Sequence, residues 1–300
     1  MKIIVIIGPT ASGKSSLGLK LAQKHDGEII NFDSMQIYQA LDKITACPTA
    51  EEQKVVPHHL YQFQDVAAPL NAACWAELAC EKIHNCLKRN KQPILVGGTG
   101  FYLKTLMDGI SPIPDIDAHI VEKYMQKAEE HGTQSLHNSL QKIDPELAQI
   151  LKAGDTQRII RAISVFEATN KPLSWWQKVP PTPYLKDAKW QIMGLLPKRE
   201  SLYERCNQRF DIIMKEGALD EVIALHNRKL SDQLPAMRSV GVKQLLAFLN
   251  NEWSLETAII KAKTATRNYA KRQSTWVRNQ LQDAHIIEDF GQNITLGDNV

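Results

Sequence analysis

The chain alternates short, continuous apolar runs with longer segments in which apolar residues recur every three or four positions. Runs rich in β-branched residues predict strands buried on both faces of a parallel sheet, and the longer spacing predicts amphipathic helices. We predict strands at residues 2–7, 28–32, 93–96 and 189–195. Helices are predicted after the first strand and at residues 35–41, 70–87, 199–216, 218–226, 241–249 and 255–281. Strands that alternate with helices indicate an α/β fold with a parallel sheet flanked by helices.

The segment between the third and fourth predicted strands has a different pattern. Prolines at 112 and 114 mark a boundary, and residues 116–151 predict two or three helices without a strand. A further helix is predicted from residue 155, where Asp155 or Thr156 could cap it, and a proline-rich loop at residues 179–183 follows. The sequence therefore predicts a core domain in two parts, 1–114 and 189–300, with a helical insertion domain at 115–188.

Composition narrows the class of protein. The 300 residues are 43% hydrophobic, which is enough for a sizeable core. The apolar run at residues 1–7 is too short for a signal peptide, and no segment is long and apolar enough to span a bilayer, so no membrane partner is expected. Five cysteines without a C-x-x-C pair argue against a disulfide framework and a zinc finger. We expect a cytoplasmic protein.

Charge is distributed unevenly along the chain. The net charge is +3, but residues 238–278 hold eight basic residues against two acidic ones, so this segment carries +6 and the rest −3. The basic residues are Arg238, Lys243, Lys261, Lys263, Arg267, Lys271, Arg272 and Arg278, and the acidic ones are Glu252 and Glu256. A local positive face suits a polyanionic partner.

The first predicted strand leads into a glycine-rich loop, and a helical pattern follows. Such a loop lets successive N–H groups and the helix N-terminus converge on an anion. Lys14 adds a positive charge, and the hydroxyl of Ser15 could bind Mg²⁺. We therefore predict a P-loop NTPase-like core with a phosphate- or diphosphate-binding loop formed by Gly8, Pro9, Thr10, Ala11, Ser12, Gly13, Lys14 and Ser15.

Two more polar residues follow predicted strands, at the edge where a parallel sheet binds its ligands. Asp33 could bind Mg²⁺ through water, accept a proton from a nucleophile, or simply cap the helix predicted at 35–41. Thr99 lies in the run Gly97-Gly98-Thr99-Gly100, where most ATP-hydrolysing proteins with such a loop carry an acidic residue. The absence of that acidic residue argues against a simple ATPase. For the adjacent His58 and His59 a structural role is the better interpretation than a metal site.

Basic residues share a face on two predicted helices. In the last helix Ile259, Ala262, Thr266, Tyr269, Gln273 and Trp276 form an inward stripe, and another face carries Lys263, Arg267, Lys271 and Arg278. Arg158 and Arg161 lie one turn apart in the insertion domain, with Glu167 as a candidate partner. From the residues alone, a solvated charged face is the simpler interpretation of both sets.

Taken together, the motifs resemble the tRNA dimethylallyltransferases, also called tRNA isopentenyltransferases, of the bacterial type. They run in the family's order over nearly the whole chain. Besides the N-terminal loop they comprise Asp33-Ser34 with Tyr38, Pro57-His58-His59-Leu60, Gly97-Gly98-Thr99-Gly100-Phe101-Tyr102, Asp155-Thr156-Gln157-Arg158-Ile159-Ile160-Arg161-Ala162, Arg238-Ser239-Val240-Gly241-Val242-Lys243-Gln244, and Thr266-Arg267 with Ala270-Lys271-Arg272-Gln273-Ser274-Thr275-Trp276-Val277-Arg278. Cys47, Val121 and Lys243 depart from the family's usual arginine or lysine.

The resemblance implies an activity. The dimethylallyl group of dimethylallyl diphosphate would be transferred to N6 of the adenosine adjacent to the tRNA anticodon, with Mg²⁺ as cofactor, bound by Ser15. Asp33 would be the general base and Thr99 would orient the amine. Lys14 and Arg238, with Thr10 and the metal, would neutralise charge on the departing diphosphate.

The resemblance also implies a tRNA interface and a monomeric protein whose insertion domain closes over the anticodon stem-loop. The residues expected to contact tRNA are Asp33, Ser34, Met35, Gln36, Thr99, Gln157, Arg158, Ile159, Ile160, Arg161, Lys271, Arg272 and Arg278. Three other functions stay open: a small-metabolite kinase with the same loop, an adenylate dimethylallyltransferase acting on a free nucleotide, and a non-catalytic RNA-binding protein.

Overall fold

The computed structural model describes residues 1–296 and confirms the predicted α/β fold with its parallel sheet. The strands are β1 (Lys2–Ile7), β2 (Gly27–Asn31), β3 (His58–His59), β4 (Gln92–Gly97), β5 (Lys189–Leu195) and β6 (His285–Ile287). They form one parallel sheet in the order β3-β2-β4-β1-β5-β6.

The helices before the last strand fall into two groups. Those before β5 are α1 (Lys14–Lys24), α2 (Asp42–Thr45), α3 (Ala50–Val55), α4 (Ala72–Lys88), α5 (Gly100–Asp108), α6 (Ala118–Ile143), α7 (Pro145–Ile150), α8 (Thr156–Thr169) and α9 (Leu173–Lys178). Between β5 and β6 lie α10 (Arg199–Lys215), α11 (Ala218–Asn227), α12 (Val242–Leu249) and α13 (Leu255–Gln280). None of the helices within residues 1–296 has the length and apolar character needed to cross a membrane.

The central strand β1 shows why the sheet is covered on both faces. Its residues alternate between two cores, because successive side chains of a strand point to opposite faces. Val5 packs with residues of α4 and α5, such as Trp75 and Leu103. Ile4 and Ile6 pack with α1 instead. Because helices cover both faces of the sheet, a ligand is expected at the carboxyl ends of the strands.

The helix predicted at residues 35–41 is wrong. This segment forms turns, because its backbone pairs with a distant stretch of chain rather than with itself. Gln39 donates to the carbonyl of Gln64, Gln64 donates to the carbonyl of Ile37, and Gln62 donates to the carbonyl of Gln36. The segment is thereby held against residues 62–64, beside the carboxyl end of β2.

The strand β6, which lies beside β5 at the edge of the sheet, was not predicted. β6 has only three residues and pairs with β5, with His285 opposite Met193. So short a run carries no periodic signal. Its neighbour β5, in contrast, has the bounds that the sequence predicts.

Residues 108–183 form a compact unit of their own, and residues 1–107 with residues 184–296 form another. The boundaries predicted at 114/115 and 188/189 lie a few residues further along the chain. In this helical unit, α6 breaks at Gly132, whose backbone is not helical, and Leu140 and Ile163 belong to its core. Asp155 precedes α8 but does not cap it with its side chain, because its carboxylate accepts the N–H of Lys152.

Candidate active site

The N-terminal loop, residues 8–13, joins the end of β1 to the start of α1. Gly13 has φ of 85° immediately before the helix, a conformation that favours glycine, and Ala11 also has a positive φ of 63°. Lys14 is the first residue of α1, and its Nζ donates to the carbonyl of Pro9 at 2.8 Å. The loop therefore curls around the amino end of α1, where unpaired N–H groups favour an anion.

A cavity of about 460 Å³ opens over this loop. Three cations line it, Lys14 from α1 and Arg205 and Arg209 from α10, against the carboxylates of Asp33 and Glu52. Burial lowers the pKa of Lys14 to about 8 and also lowers the pKa values of Arg205 and Arg209. Positive charge held away from water in this way is relieved by a bound anion, so the cavity is suited to a phosphate or diphosphate.

A second cavity, of about 320 Å³, adjoins the first, since Thr10, Asp33, Thr45 and Arg209 line both. Much of its remaining wall is apolar, with Met35, Ile44, Phe210, Ile213 and Val240 among the lining residues, and Arg238 and Arg272 line it as well. Asp33 thus lies where a cationic cavity meets an apolar one. This arrangement suits a ligand that joins a phosphate group to a short hydrocarbon.

Asp33 and Thr99 both accept hydrogen bonds from the backbone of the segment that follows β2. The carboxylate of Asp33 accepts the N–H of Met35 at 3.0 Å, and Thr99 Oγ1 accepts the N–H of Ser34 at 2.9 Å. Thr99 also donates to the hydroxyl of Ser34 at 3.2 Å. Residues 35–41 form turns and not a helix. The alternative that Asp33 caps a helix there is therefore wrong.

Gln273 of α13 joins the two glycine-rich loops. Its Oε1 accepts the N–H of Thr10 at 2.8 Å, and its Nε2 donates to the carbonyl of Gly98 at 3.0 Å. The side chain is only 7% exposed, so both bonds lie away from water. The buried stripe predicted on the last helix therefore includes a residue that holds the loop of Thr10 beside the loop of Thr99.

Six further predicted residues line one or the other of the two cavities. Ser15 and Gln36 line the cationic cavity, whereas Ser34, Met35, Arg238 and Arg272 line the apolar one. Arg238 is exposed and donates to the carbonyl of Asp232 at 3.1 Å, so its guanidinium is held by its own loop.

The cationic face predicted on α13 needs a correction. Lys263 is paired with Asp211 at 2.7 Å, and Arg267 donates to Asn207 at 2.6 Å. Only the carboxyl half of the face, with Lys271 and Arg278, is exposed. The positive surface is therefore shorter than the spacing of basic residues predicts.

In the helical unit, α8 presents Gln157, Arg158 and Arg161 to solvent. The two isoleucines between them, Ile159 and Ile160, are 0% and 6% exposed and pack in the core of the unit. Their side chains cannot reach a bound RNA in this structure, so we retain only the polar residues of this helix as candidate contacts.

The partner suggested for the arginines of α8 is already engaged. Glu167 accepts hydrogen bonds from Lys123 at 2.8 Å and from the hydroxyl of Tyr124 at 2.5 Å. The two arginines are therefore not neutralised by this carboxylate.

His58 and His59 form the edge strand β3, and the contacts of His59 are structural. His59 Nε2 lies 2.7 Å from Glu28 Oε2, and Cys86 Sγ donates to the same carboxylate at 3.4 Å. Glu28, His59 and Cys86 are close enough to share a metal ion, but Arg89 donates to both oxygens of Glu28. Arg89 first, and then His59, hold the pKa of Glu28 at about 2. This network joins β2, β3 and α4.

Arg205 and Arg209 were missed by the sequence analysis. They lie four residues apart on a predicted helix, and Cys206 and Phe210 beside them are buried. An arginine pair at this spacing next to buried residues was the available signal.

Comparison with known proteins decides the family. A family model described as IPP transferase matches residues 36–280. The chain belongs to the IPP transferase family. A family relative from Parvibaculum lavamentivorans, named tRNA dimethylallyltransferase, is 44% identical over 280 residues, which is 93% of this chain and 88% of the relative. The resemblance drawn from the motifs is thus confirmed.

Solved structures of the family agree in fold. The tRNA isopentenylpyrophosphate transferase of Bacillus halodurans is similar with a TM-score of 0.68 and 33% identity, over 95% of this chain and 89% of that one. A eukaryotic dimethylallyltransferase described as acting on tRNA is similar with a TM-score of 0.79 and 30% identity, over 95% of this chain and 73% of that one.

Proposed function

We propose that the protein transfers the dimethylallyl group of dimethylallyl diphosphate to N6 of the adenosine adjacent to the anticodon in tRNA and releases diphosphate. The observation that carries the proposal is the junction of the two cavities. A cationic cavity and an apolar cavity meet at Asp33, and the substrate joins a diphosphate to a five-carbon apolar group. The names of the relatives support the same reaction.

The diphosphate would bind in the cationic cavity. The amino end of α1 and the side chains of Lys14, Arg205 and Arg209 would hold its oxygens and stabilise the negative charge that grows as it leaves. The lining also supplies oxygen donors of the kind Mg²⁺ prefers: the hydroxyl of Ser15 and the carboxylate of Glu52. These residues fit a magnesium ion, which when bound would neutralise part of the diphosphate charge.

The acceptor amine would enter beside Asp33 and Thr99. Its nitrogen forms a bond to the allylic carbon while the bond from that carbon to the diphosphate oxygen breaks, and the electron pair leaves with the diphosphate. Asp33 takes the proton that the amine loses. Thr99 is fixed by Ser34 and can orient the amine through its hydroxyl.

The RNA would be bound by exposed cations and polar groups. Lys271, Arg272 and Arg278 are exposed on α13, and Gln157, Arg158 and Arg161 are exposed on α8. Phosphate contacts of this kind position an RNA without reading its sequence. We also propose a cytoplasmic, monomeric enzyme; the five free cysteines support a reducing compartment.

The test replaces Asp33 by Asn and measures dimethylallyl transfer to tRNA. Loss of a positioned base is expected to lower kcat by roughly 10²–10⁴-fold, with tRNA affinity retained. Asp26→Asn is the matched control, because this exposed carboxylate precedes the same strand at its other end and pairs with Lys91. Near-normal turnover of the Asp33 variant would remove Asp33 from the mechanism.

Assays with ATP and with AMP separate the alternative enzyme functions. The unmodified protein is expected neither to hydrolyse ATP nor to phosphorylate a metabolite, and AMP should not replace tRNA as acceptor. Stoichiometric ATP turnover would indicate a kinase, and transfer to AMP would indicate an adenylate dimethylallyltransferase.

A further inference from the structure

The chain returns to the N-terminal loop after the sheet is complete. We call residues 289–296 the C-terminal strap; they follow β6 and include a short 3₁₀ helix, Gly291–Asn293. The N–H of Gly291 donates to the carbonyl of Ser12 at 2.9 Å. Lys20 of α1 donates to the strap carbonyls of Gln292 at 2.7 Å and Ile294 at 3.0 Å. The strap is therefore bonded both to the loop and to the helix that follows it.

The strap and the loop approach each other too closely for a side chain at the contact. A Cβ atom on Gly291 would overlap the carbonyl of Gly13, and one on Gly13 would lie 2.7 Å from the nitrogen of Gly291. Two glycines in backbone contact therefore allow the strap to lie directly on the residue that precedes α1.

Phe290 connects the strap to the cationic cavity. Its ring packs against a small core formed by Ala11, Leu202, Cys206 and Ala270. The guanidinium of Arg205 lies 4.7 Å from the centre of this ring. One strap residue thus packs on the small core that includes Ala11 of the N-terminal loop, and it lies against a cation that lines the cavity.

We propose that the C-terminal strap positions the diphosphate-binding site, with Phe290 and Gly291 as its positioning residues. The inference rests on the proposed function, since it assigns the strap to the site that holds the diphosphate. Ala11 has a positive φ that is costly for a residue with a side chain and persists only where surrounding contacts hold it. The strap supplies such contacts, because Phe290 packs on the core that includes Ala11 and Gly291 donates to the carbonyl of Ser12.

The consequence concerns affinity rather than the chemical step. If the loop adopted its binding conformation only a tenth of the time without the strap, the affinity for diphosphate would fall about tenfold. Transfer from bound substrate would change little, since Phe290 and Gly291 touch neither the reacting atoms nor the acceptor. The strap lies beyond residue 280, where the match to the family model ends.

The experiment uses full-length variants and inorganic diphosphate with Mg²⁺ as the probe, followed by calorimetry. Phe290→Ala and Gly291→Ala are each expected to weaken diphosphate binding by about tenfold and to raise the KM for dimethylallyl diphosphate in parallel. The kcat and the affinity for tRNA should stay close to those of the unmodified protein. Phe290→Tyr keeps the aromatic ring and should bind diphosphate as the unmodified protein does. Thr295→Ala, which changes an exposed strap residue, is the control.

Three outcomes decide the matter. Unchanged diphosphate affinity in both folded variants overturns the strap's role. A fall in kcat and tRNA affinity together with diphosphate affinity would mean that the strap only supports the fold, and would also overturn it. Strap-dependent diphosphate binding in a protein that transfers no dimethylallyl group would uphold the strap's role while refuting the proposed function.

Discussion

The bridge made by Gln273 offers the sharpest test of how the two glycine-rich loops are held together. Gln273→Leu keeps most of the side-chain volume but removes both hydrogen bonds. The N–H of Thr10 and the carbonyl of Gly98 would then be left without their partner at a site where the side chain is 7% exposed. The substitution therefore isolates the polar contribution of the bridge from its packing.

The expected cost follows from the burial of these groups. Each buried polar group left unsatisfied costs about 1–3 kcal/mol, so with two such groups the free energy of unfolding should fall by roughly 2–6 kcal/mol. Catalysis should suffer more than stability, because Thr10 belongs to the proposed diphosphate loop and Gly98 precedes Thr99. A displacement of about 1 Å between groups that must act together can cost on the order of 10²-fold in rate.

The assay combines denaturant unfolding with kcat/KM for dimethylallyl transfer to tRNA. Gln280→Leu, an exposed glutamine at the end of the same helix, is the control and should change neither quantity appreciably. A Gln273→Leu protein with unchanged stability and unchanged kcat/KM would refute the reasoning that this side chain holds the two loops in register.

Three further predictions follow from charges. Burial sets the pKa of Lys14 at about 8, so its positive charge is lost as the pH rises through that value; diphosphate binding measured by calorimetry should weaken above pH 8 in the unmodified protein but not in Lys14→Ala. Glu28→Gln should destabilise the fold, because the buried carboxylate that joins Arg89 and His59 would be replaced by a neutral amide. The depressed pKa of Glu28 means that this stabilisation is present above pH 4.5 and is lost as the pH falls toward 2, which acid unfolding of both proteins would check. Neutralising Lys271 and Arg278 together should weaken tRNA binding and flatten its salt dependence. An unchanged slope of affinity against salt concentration in folded protein would mean that these residues only form a solvated face.

The sheet could be predicted because its strands are buried on both faces and therefore leave continuous apolar runs in the sequence. The segment 35–41 could not, since its apolar spacing is helical but its backbone pairs with residues 62–64. That pairing depends on how the chain returns past the end of β2, and a local pattern does not contain it.

The candidate site divides in the same way. Lys14, Asp33 and Thr99 could be found because each follows a predicted strand, where parallel sheets place their ligands. Arg205 and Arg209 were missed because an arginine pair one turn apart looks the same in sequence whether it faces solvent or a cavity. Ile159 and Ile160 entered the RNA-binding set through the motif they share with Arg158, although their burial shows that the motif combines a core face with a surface face.

The central claim is tested most directly by nucleoside mass analysis of tRNA that has been incubated with the protein, dimethylallyl diphosphate and Mg²⁺. The proposed function predicts one modified adenosine, heavier by a dimethylallyl group that replaces a hydrogen on N6, located adjacent to the anticodon and formed together with an equal amount of diphosphate. Unmodified tRNA after incubation with folded protein that binds both substrates would contradict it.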